Sequence, residues 1–300
     1  MKQLKISLSF SVLLGLVLTS CLKENHQNID PDRSLDIVEF ANSGSNTSSL
    51  SKSTYPGYYT DLGTLLSGES ATFNLNVNFS GATEAPEDVT VNIEVDTAAL
   101  TIYNEQNGTN YVVPSTDIYT LPTSIVIKKG TRIAQSQVTI TNTSNFSFDD
   151  AYALPLKITS ASKGAISANF GKAVFAFGVR NKYDGHYSMK GYSLRGGDAV
   201  KTGNFQRGAG MDLVTIGANA VQFGELQVWA DLTGVGVGNP IITVNEDNSL
   251  TLSSDGGIMN APGYDSRYDP ATKTFYLSFT WGAGPSARLA VDTLTYIDVR

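Results

Sequence analysis

One cysteine and two histidines serve a chain of 300 residues. A single cysteine closes no disulfide within the chain, so stability has to come from packing. Zinc sites draw several ligands from Cys and His, and His26 and His186 are too few to build one. Only His186 lies beyond the first thirty residues, so a Ser-His-Asp triad would depend on it. Asp184 lies two residues earlier and points the same way on a strand, but no G-x-S-x-G elbow exists to supply the nucleophile. His186 therefore reads as structural or surface. Charged residues are sparse at 16%, and basic side chains are outnumbered 21 to 28, a formal charge of −7. So acidic a chain is poorly suited to nucleic-acid binding, which needs positive charge against phosphates. No heptad repeat is present.

The first twenty residues are organised otherwise. Lys2 and Lys5 form a short positive segment, followed by "ISLSFSVLLGLVL", an apolar run too short to span a bilayer as a helix. Residues 1–20 read as a secretion signal. It runs into "LTSC", Leu18 to Cys21, which resembles the lipobox of bacterial lipoproteins in all four positions. The resemblance implies that Cys21 carries lipid and becomes the mature N-terminus. Cleavage then removes two lysines and no acid, leaving 19 − 28 = −9. Residues 21–34 are polar without an apolar period and read as a tether.

From Leu35 onward short runs alternate with period two. "ATFNLNVNF" sets Phe73, Leu75, Val77 and Phe79 against Asn74, Asn76 and Asn78, the pattern of a strand with one buried face. "VTVNIEV", "SIVIKKG", "AQSQVTI" and "YALPLKI" continue it, so residues 35–180 read as an immunoglobulin-like β-sandwich lacking that fold's disulfide. One segment departs from the pattern. Asp96 or Thr97 can cap a helix with Leu100 and Tyr103 three apart, and Asn107-Gly108 stops it; it is expected on the sandwich edge. Residues 181–300 hold further strands with short Asx and Pro turns, predicting an antiparallel meander barrel or sandwich of about eight strands. In its first strand the phase moves from Tyr187 and Met189 to Tyr192 and Leu194 at Gly191, where a β-bulge is expected.

The ordered succession "YNEQNGTNYVVP", "YTLP", "IVIKKGT" and "YALPLKITSAS" resembles the N-terminal domain of Bacteroidetes surface lipoproteins of unknown function. That domain also stands in front of the catalytic domain of an endo-β-N-acetylglucosaminidase. The likeness covers roughly residues 35 to 178, and "NKYDGHY", "YDPATKTFYLSF" and "DTLTY" resemble the C-terminal domain that accompanies it. The resemblance implies an outer-membrane protein facing the cell exterior, within a polysaccharide-utilisation system, with glycan and an outer-membrane transporter complex as candidate partners. The D-x-x-D-x-D-x-E motif of the chitinase-like relatives is missing.

Little else offers chemistry. The glycine clusters "GVGVGNP" and "GAGPSA" lack the Lys-Ser/Thr of a phosphate loop and read as turns. Asp149-Asp150 supplies two carboxylates where calcium takes six or more oxygens. Aromatic residues are the better candidates, because sugar rings stack on aromatic planes. In "ELQVWA" the alternation turns Trp229 outward, away from Leu226 and Val228, whereas Trp281 continues the core face of Phe275, Leu277 and Phe279. Tyr264 and Tyr268 lie in "APGYDSRYDP", whose composition argues for exposure, so Trp229, Tyr264 and Tyr268 form a candidate sugar platform. Asp96-Thr97-Ala98 and Asp292-Thr293-Leu294 resemble the O-glycosylation acceptor of these bacteria, with Thr97 better placed at a helix start than Thr293 inside a strand.

The sequence thus reads as an all-β, two-domain, lipid-anchored accessory protein without catalytic activity, cofactor or metal, binding glycan at the cell surface. A cell-surface adhesin or structural protein is the second class, and a glycan hydrolase of unrecognised type the third. Replacing Cys21 with Ala in the full-length precursor is expected to abolish incorporation of labelled palmitate and to move the protein out of the membrane fraction; label retained by Cys21→Ala would refute lipidation at this residue.

Overall fold

The computed structural model describes residues 34–300 apart from 42, 47–51, 226, 235 and 285–286. Cys21 and almost all of the tether lie outside the described residues. Two sheets form the N-terminal sandwich. One runs in the order Ala165–Ile166, Ile37–Phe40, Ser70–Ser80, Ile133–Thr141, Tyr119–Thr120; the other runs Ser45–Asn46, Gly57–Thr64, Lys172–Arg180, Tyr152–Ala161, Val89–Val95, Ser124–Ile127. The alternation read from the sequence is realised: Phe73, Leu75, Val77 and Phe79 are buried in the core, while Asn74 is exposed. Phe175 sits at its centre, with Phe40 and Tyr58 both 5.5 Å away between ring centroids. Two pairings are parallel, Lys172–Arg180 with Gly57–Thr64 and Ala165–Ile166 with Ile37–Phe40. The sandwich is therefore mixed, and its last strand enters the middle of a sheet, where neighbours on both sides hold it.

The helix spans Thr97–Asn107, with Asp96 at its N-cap and Gly108 closing it in the left-handed region at φ 67°. Asp96 makes no side-chain cap; its carboxylate lies 2.7 Å from Lys172 Nζ, and that hydrogen bond holds it below the usual carboxylate range. The helix lies on a sheet face rather than on the edge expected from the sequence. Leu100 and Tyr103 pack on Ala153, Val174 and Ala176, whose small outward side chains let the helix approach. Among the described residues no helix is long and apolar enough to cross a membrane.

The C-terminal half is a closed eight-strand barrel. Its sheet runs from Met259–Asn260 through Leu250–Ser253, Ile241–Val244, Ala220–Phe223, Gly203–Gly217, Gly185–Arg195, Arg288–Asp298 and Thr274–Trp281 to Arg267–Asp269. The two short end strands share one edge of Thr274–Trp281, where Asn260 pairs with Phe279 and Tyr268 with Phe275, so the nine strands close as a ring of eight positions, the last filled by both short strands. An eight-strand barrel has room for side chains and little more. Here Tyr187, Phe223, Trp229, Phe275, Phe279 and Trp281 fill it.

Gly191 carries no bulge. Pairing with Arg288–Asp298 runs unbroken from Lys190–Thr293 through Gly191–Asp292 to Tyr192–Val291, and the register shifts fall earlier, around Tyr187. The inward face simply continues from Met189 through Gly191 to Ser193, leaving Tyr192 and Leu194 outside. The glycine is needed for another reason: a Cβ there would lie 2.2 Å from Asp292 Oδ1. Asp292 points into the barrel, and both its carboxyl oxygens are buried without a hydrogen-bond partner among the described residues. Burial alone pushes its pKa well above 3.8, because an apolar surrounding disfavours the charged form.

That carboxyl makes stability depend on pH in a defined direction. Below 3.8 it is protonated in folded and unfolded chains alike and costs nothing through ionisation. As pH rises the unfolded chain ionises first, and stability is lost by up to about 1.4 kcal/mol per pH unit until the folded group also ionises. Asp88, Asp96, Asp117, Asp231, Asp247 and Asp269, each lowered first by a side-chain hydrogen bond, act in the opposite sense. A comparison with Asp292→Asn isolates the buried group. In urea unfolding from about pH 4 to about pH 8 the variant should gain on the wild type as pH rises and then level off; a gap independent of pH would mean that Asp292 is not a neutral buried acid.

Candidate functional site

The aromatic platform does not assemble. Trp229 is only 2% exposed, and its ring lies 5.3 Å from Trp281 with the Arg195 guanidinium 5.6 Å above it. The outward phase assigned to it assumed a continuing strand, but the strand ends at Phe223, and beyond it the chain folds Val228 and Trp229 together into the barrel. Tyr268 is likewise buried, since it belongs to the strand Arg267–Asp269 and packs on Phe275 at 4.7 Å and Tyr183 at 5.0 Å. Burial, with Tyr183 and Asp269 nearby, pushes its hydroxyl up to about 12. Tyr264 alone is exposed, at 50%. Trp281 is core, as its phase indicates. Of the two acceptor threonines, Thr97 is exposed in the first turn of the helix and Thr293 is half-buried within a strand.

His186 Nδ1 lies 2.7 Å from Asp212 Oδ1 across the barrel sheet, both side chains 38% exposed. Asp184, its sequence neighbour, is engaged elsewhere. No cluster of three or more His, Cys, Asp or Glu residues suited to a metal occurs among the described residues.

The structure instead draws attention to the joint between sandwich and barrel. The last sandwich strand ends at Arg180 and the first barrel strand begins at Gly185, so four residues make the connection. Its two buried polar side chains, Asn181 and Asp184, are both engaged. Asn181 is buried; its Nδ2 donates to the carbonyls of Gly217 at 2.8 Å and Ala220 at 2.9 Å, and its Oδ1 accepts from Tyr183 N. Asp184 accepts from Thr215 N at 2.7 Å, Thr215 Oγ1 at 2.9 Å, and Arg300 Nε and Nη2 at 3.2 Å each. That hydrogen bond in turn raises the pKa of Arg300. Arg180 pairs with Asp61 in the sandwich and stands 3.9 Å from Asp184 in the barrel, so one guanidinium faces a carboxylate of each domain.

Beside this joint runs a groove in two adjoining parts. The first, ≈ 470 Å³, is lined by Leu65, Leu66, Phe146 and Phe148 from the sandwich with Asn142, and by Asn181, Lys182, Ala218 and Asn219 from the barrel side. The second, ≈ 450 Å³, shares Leu66 and Lys182 and adds Glu69, Tyr268, Pro270, Lys273 and Tyr296. Phe146 anchors the sandwich wall by packing on Tyr152 at 5.2 Å, and Phe148 stands edge-on to Phe146 at 5.2 Å. Half-buried aromatic and aliphatic faces beside amides and ammonium groups are suited to hold a polar molecule that also has apolar faces. None of Leu66, Phe146, Phe148, Lys182, Asn219, Lys273 or Tyr296 stood out in the sequence. The one local signal was "NFSFDD", where Phe146 and Phe148 alternate inside a polar loop.

Fold and groove together define a two-domain, all-β protein with an aromatic-lined groove where its domains meet. The family models described as an N-terminal domain and a C-terminal domain match residues 43–165 and 171–295 respectively, and the chain belongs to that two-domain family. Among solved structures, a protein of unknown function from Bacteroides ovatus is similar over 88% of this chain and 95% of its own, at 15% identity and a TM-score of 0.56. An auxiliary nutrient binding protein from Bacteroides thetaiotaomicron is similar over 79% of this chain and 90% of its own, at 17% identity and a TM-score of 0.43. EndoBT-3987 of the latter genus, solved with a Man5GlcNAc product, is similar over 40% of this chain and 28% of its own, at 19% identity and a TM-score of 0.34. No curated protein matches.

The placement of the aromatics gives a direct test. Trp229→Ala should destabilise the barrel by about 3–5 kcal/mol, the cost of emptying a large buried site, whereas Tyr264→Ala should change stability by less than about 0.5 kcal/mol. Equal unfolding midpoints for the two variants would show that Trp229 is not part of the core.

Proposed function

We propose that this protein is a non-catalytic accessory lipoprotein, anchored in the outer membrane through lipid on Cys21 and facing the cell exterior, which binds glycan in the groove between its two domains. Within a polysaccharide-utilisation system it would present that glycan to an outer-membrane transporter complex. The observation that carries the proposal is the groove lining, in which Phe148, Leu66 and Pro270 offer apolar surface and Asn142, Asn219 and Lys182 offer hydrogen bonds. A pyranose ring needs both, because its C–H faces are apolar and its rim is hydroxylated. The leader and lipobox-like "LTSC" support the location.

A second reading, contact with another protein as an adhesin or structural element, has its own support. On the outer face of the barrel Tyr192 pairs with Val291 and Leu194 with Leu289, and Tyr192 and Leu194 are 39% and 40% exposed. Two adjacent apolar pairs on a barrel exterior suit a protein surface more than a sugar.

The deciding experiment is a binding screen of residues 22–300 against host and plant polysaccharides, with Phe148→Ala and Tyr192→Ser beside the wild type. Phe148→Ala should weaken glycan binding about tenfold, the equivalent of ~1.4 kcal/mol for one aromatic face, and Tyr192→Ser should leave it unchanged. Glycan binding indifferent to Phe148→Ala would move the site out of the groove, and absence of binding to every polysaccharide would favour the adhesin reading.

A further inference from the structure

Acidic side chains exceed basic ones by 28 to 21 in this chain, yet the groove presents two lysines that no carboxylate neutralises. Four lysines elsewhere are matched, Lys128 with Asp88, Lys157 with Glu94, Lys172 with Asp96 and Lys201 with Asp231. Lys52, Lys129, Lys163 and Lys190 stand exposed without a carboxylate partner among the described residues, so what sets Lys182 and Lys273 apart is that both line one groove. Lys182 and Lys273 make neither an ion pair nor a side-chain hydrogen bond among the described residues. Each ammonium instead lies over an aromatic ring, Lys182 at 5.0 Å from the centroid of Tyr183 and Lys273 at 4.5 Å from that of Tyr296. A ring face orients a cation and leaves its N–H donors free for a further partner.

The acids that share the groove are already committed. Asp184 is held by Arg300 and Thr215, and Glu69 Oε2 accepts from Leu66 N at 2.8 Å. Lys273 is also held at a backbone cost. Its φ is +48°, a left-handed conformation unusual for a residue with a side chain. The preceding turn fixes it there, Asp269 accepting from Ala271 N at 3.0 Å and Thr272 Oγ1 at 2.8 Å. Two unneutralised cations on one concave wall of an acidic protein, one of them on a strained turn, are the arrangement that attracts an anionic ligand and repels it from the remaining surface.

Building on the glycan reading, we propose that the ligand is an anionic glycan, whose carboxylate or sulfate is taken by Lys182 and Lys273 while its sugar rings lie along Leu66 and Phe148. Anionic character is the shared chemistry; whether it comes from uronic acid or from sulfate ester is for the probe to decide.

The test uses residues 22–300 with four probes: polygalacturonate for carboxylate, dextran sulfate for sulfate, and dextran and galactan as neutral polymers. Affinity is measured at about 20 mM and about 200 mM salt for the wild type, for Lys182→Gln/Lys273→Gln, and for Lys190→Gln, an exposed lysine on the barrel exterior. One anionic probe should bind at least tenfold more tightly than either neutral polymer, weaken about tenfold in the double variant and with added salt, and ignore Lys190→Gln. The anionic probe that binds identifies the source of charge. Anionic binding equally sensitive to Lys190→Gln would be non-specific attraction and would overturn the inference. So would neutral polymers bound as tightly as anionic ones with no effect of the double variant, although the groove would then remain a glycan site. Failure of every polymer to bind folded protein would remove the glycan reading and this inference with it.

Discussion

The buried carboxylate of Asp184 is the constraint on which the arrangement of the two domains depends. A charge with 1% side-chain exposure is tolerated only when it is paired and hydrogen-bonded, and here Arg300, Thr215 and the nearby Arg180 meet that demand. The partners come from separate places: the end of the chain, the long barrel strand Gly203–Gly217 and the last sandwich strand. Satisfying one carboxylate therefore fixes all three relative to each other. Asn181 does the same with amide chemistry, tying the connection to the carbonyls of Gly217 and Ala220. Since the chain has a single cysteine, which precedes both domains, these polar contacts do work at the joint that a disulfide could otherwise share.

A joint held in this way sets the shape of the groove. Phe146 and Phe148 stand on a loop of the sandwich, while Lys182, Asn219 and Lys273 stand on loops of the barrel, and only the joint sets the distance between the two groups. The barrel interior cannot serve the same purpose. Trp229, Trp281, Phe275 and Tyr187 occupy it, and even the space left by the absent side chain of Gly191 is taken by Asp292. A small barrel filled this densely presents function on its loops and outer face.

Local periodicity carried the sequence reading as far as local physics extends. Alternation in Ser70–Ser80 and Thr274–Trp281 identified core faces correctly, and Asp96 and Gly108 marked the ends of the helix. Trp229 failed because alternation has meaning only while a strand persists, and nothing in "ELQVWA" announces that pairing stopped at Phe223. Gly191 failed for a different reason. The apparent change of phase is a pair of exposed apolar residues, Tyr192 and Leu194, on an uninterrupted strand, and the glycine answers to Asp292 a hundred residues later. The groove was illegible for that same reason, as Leu66, Phe148, Lys182, Asn219 and Lys273 are brought together only by the packing of one domain on the other.

The described carboxyl groups divide between the barrel interior and the groove at the joint. A glycosidase of the usual kind needs two carboxyl groups beside the substrate, one of them able to hold a proton near neutral pH. The carboxyl whose pKa burial raises, Asp292, is sealed inside the barrel, opposite Gly191 and away from the groove. The carboxylates that do line the groove are engaged, Asp184 by Arg300 and Glu69 by a backbone amide, so releasing either to exchange protons would dismantle the joint or the loop that shapes the groove. The buried acid and the groove are thus kept apart, and the carboxylates that line the groove hold the joint and the loop that shape it.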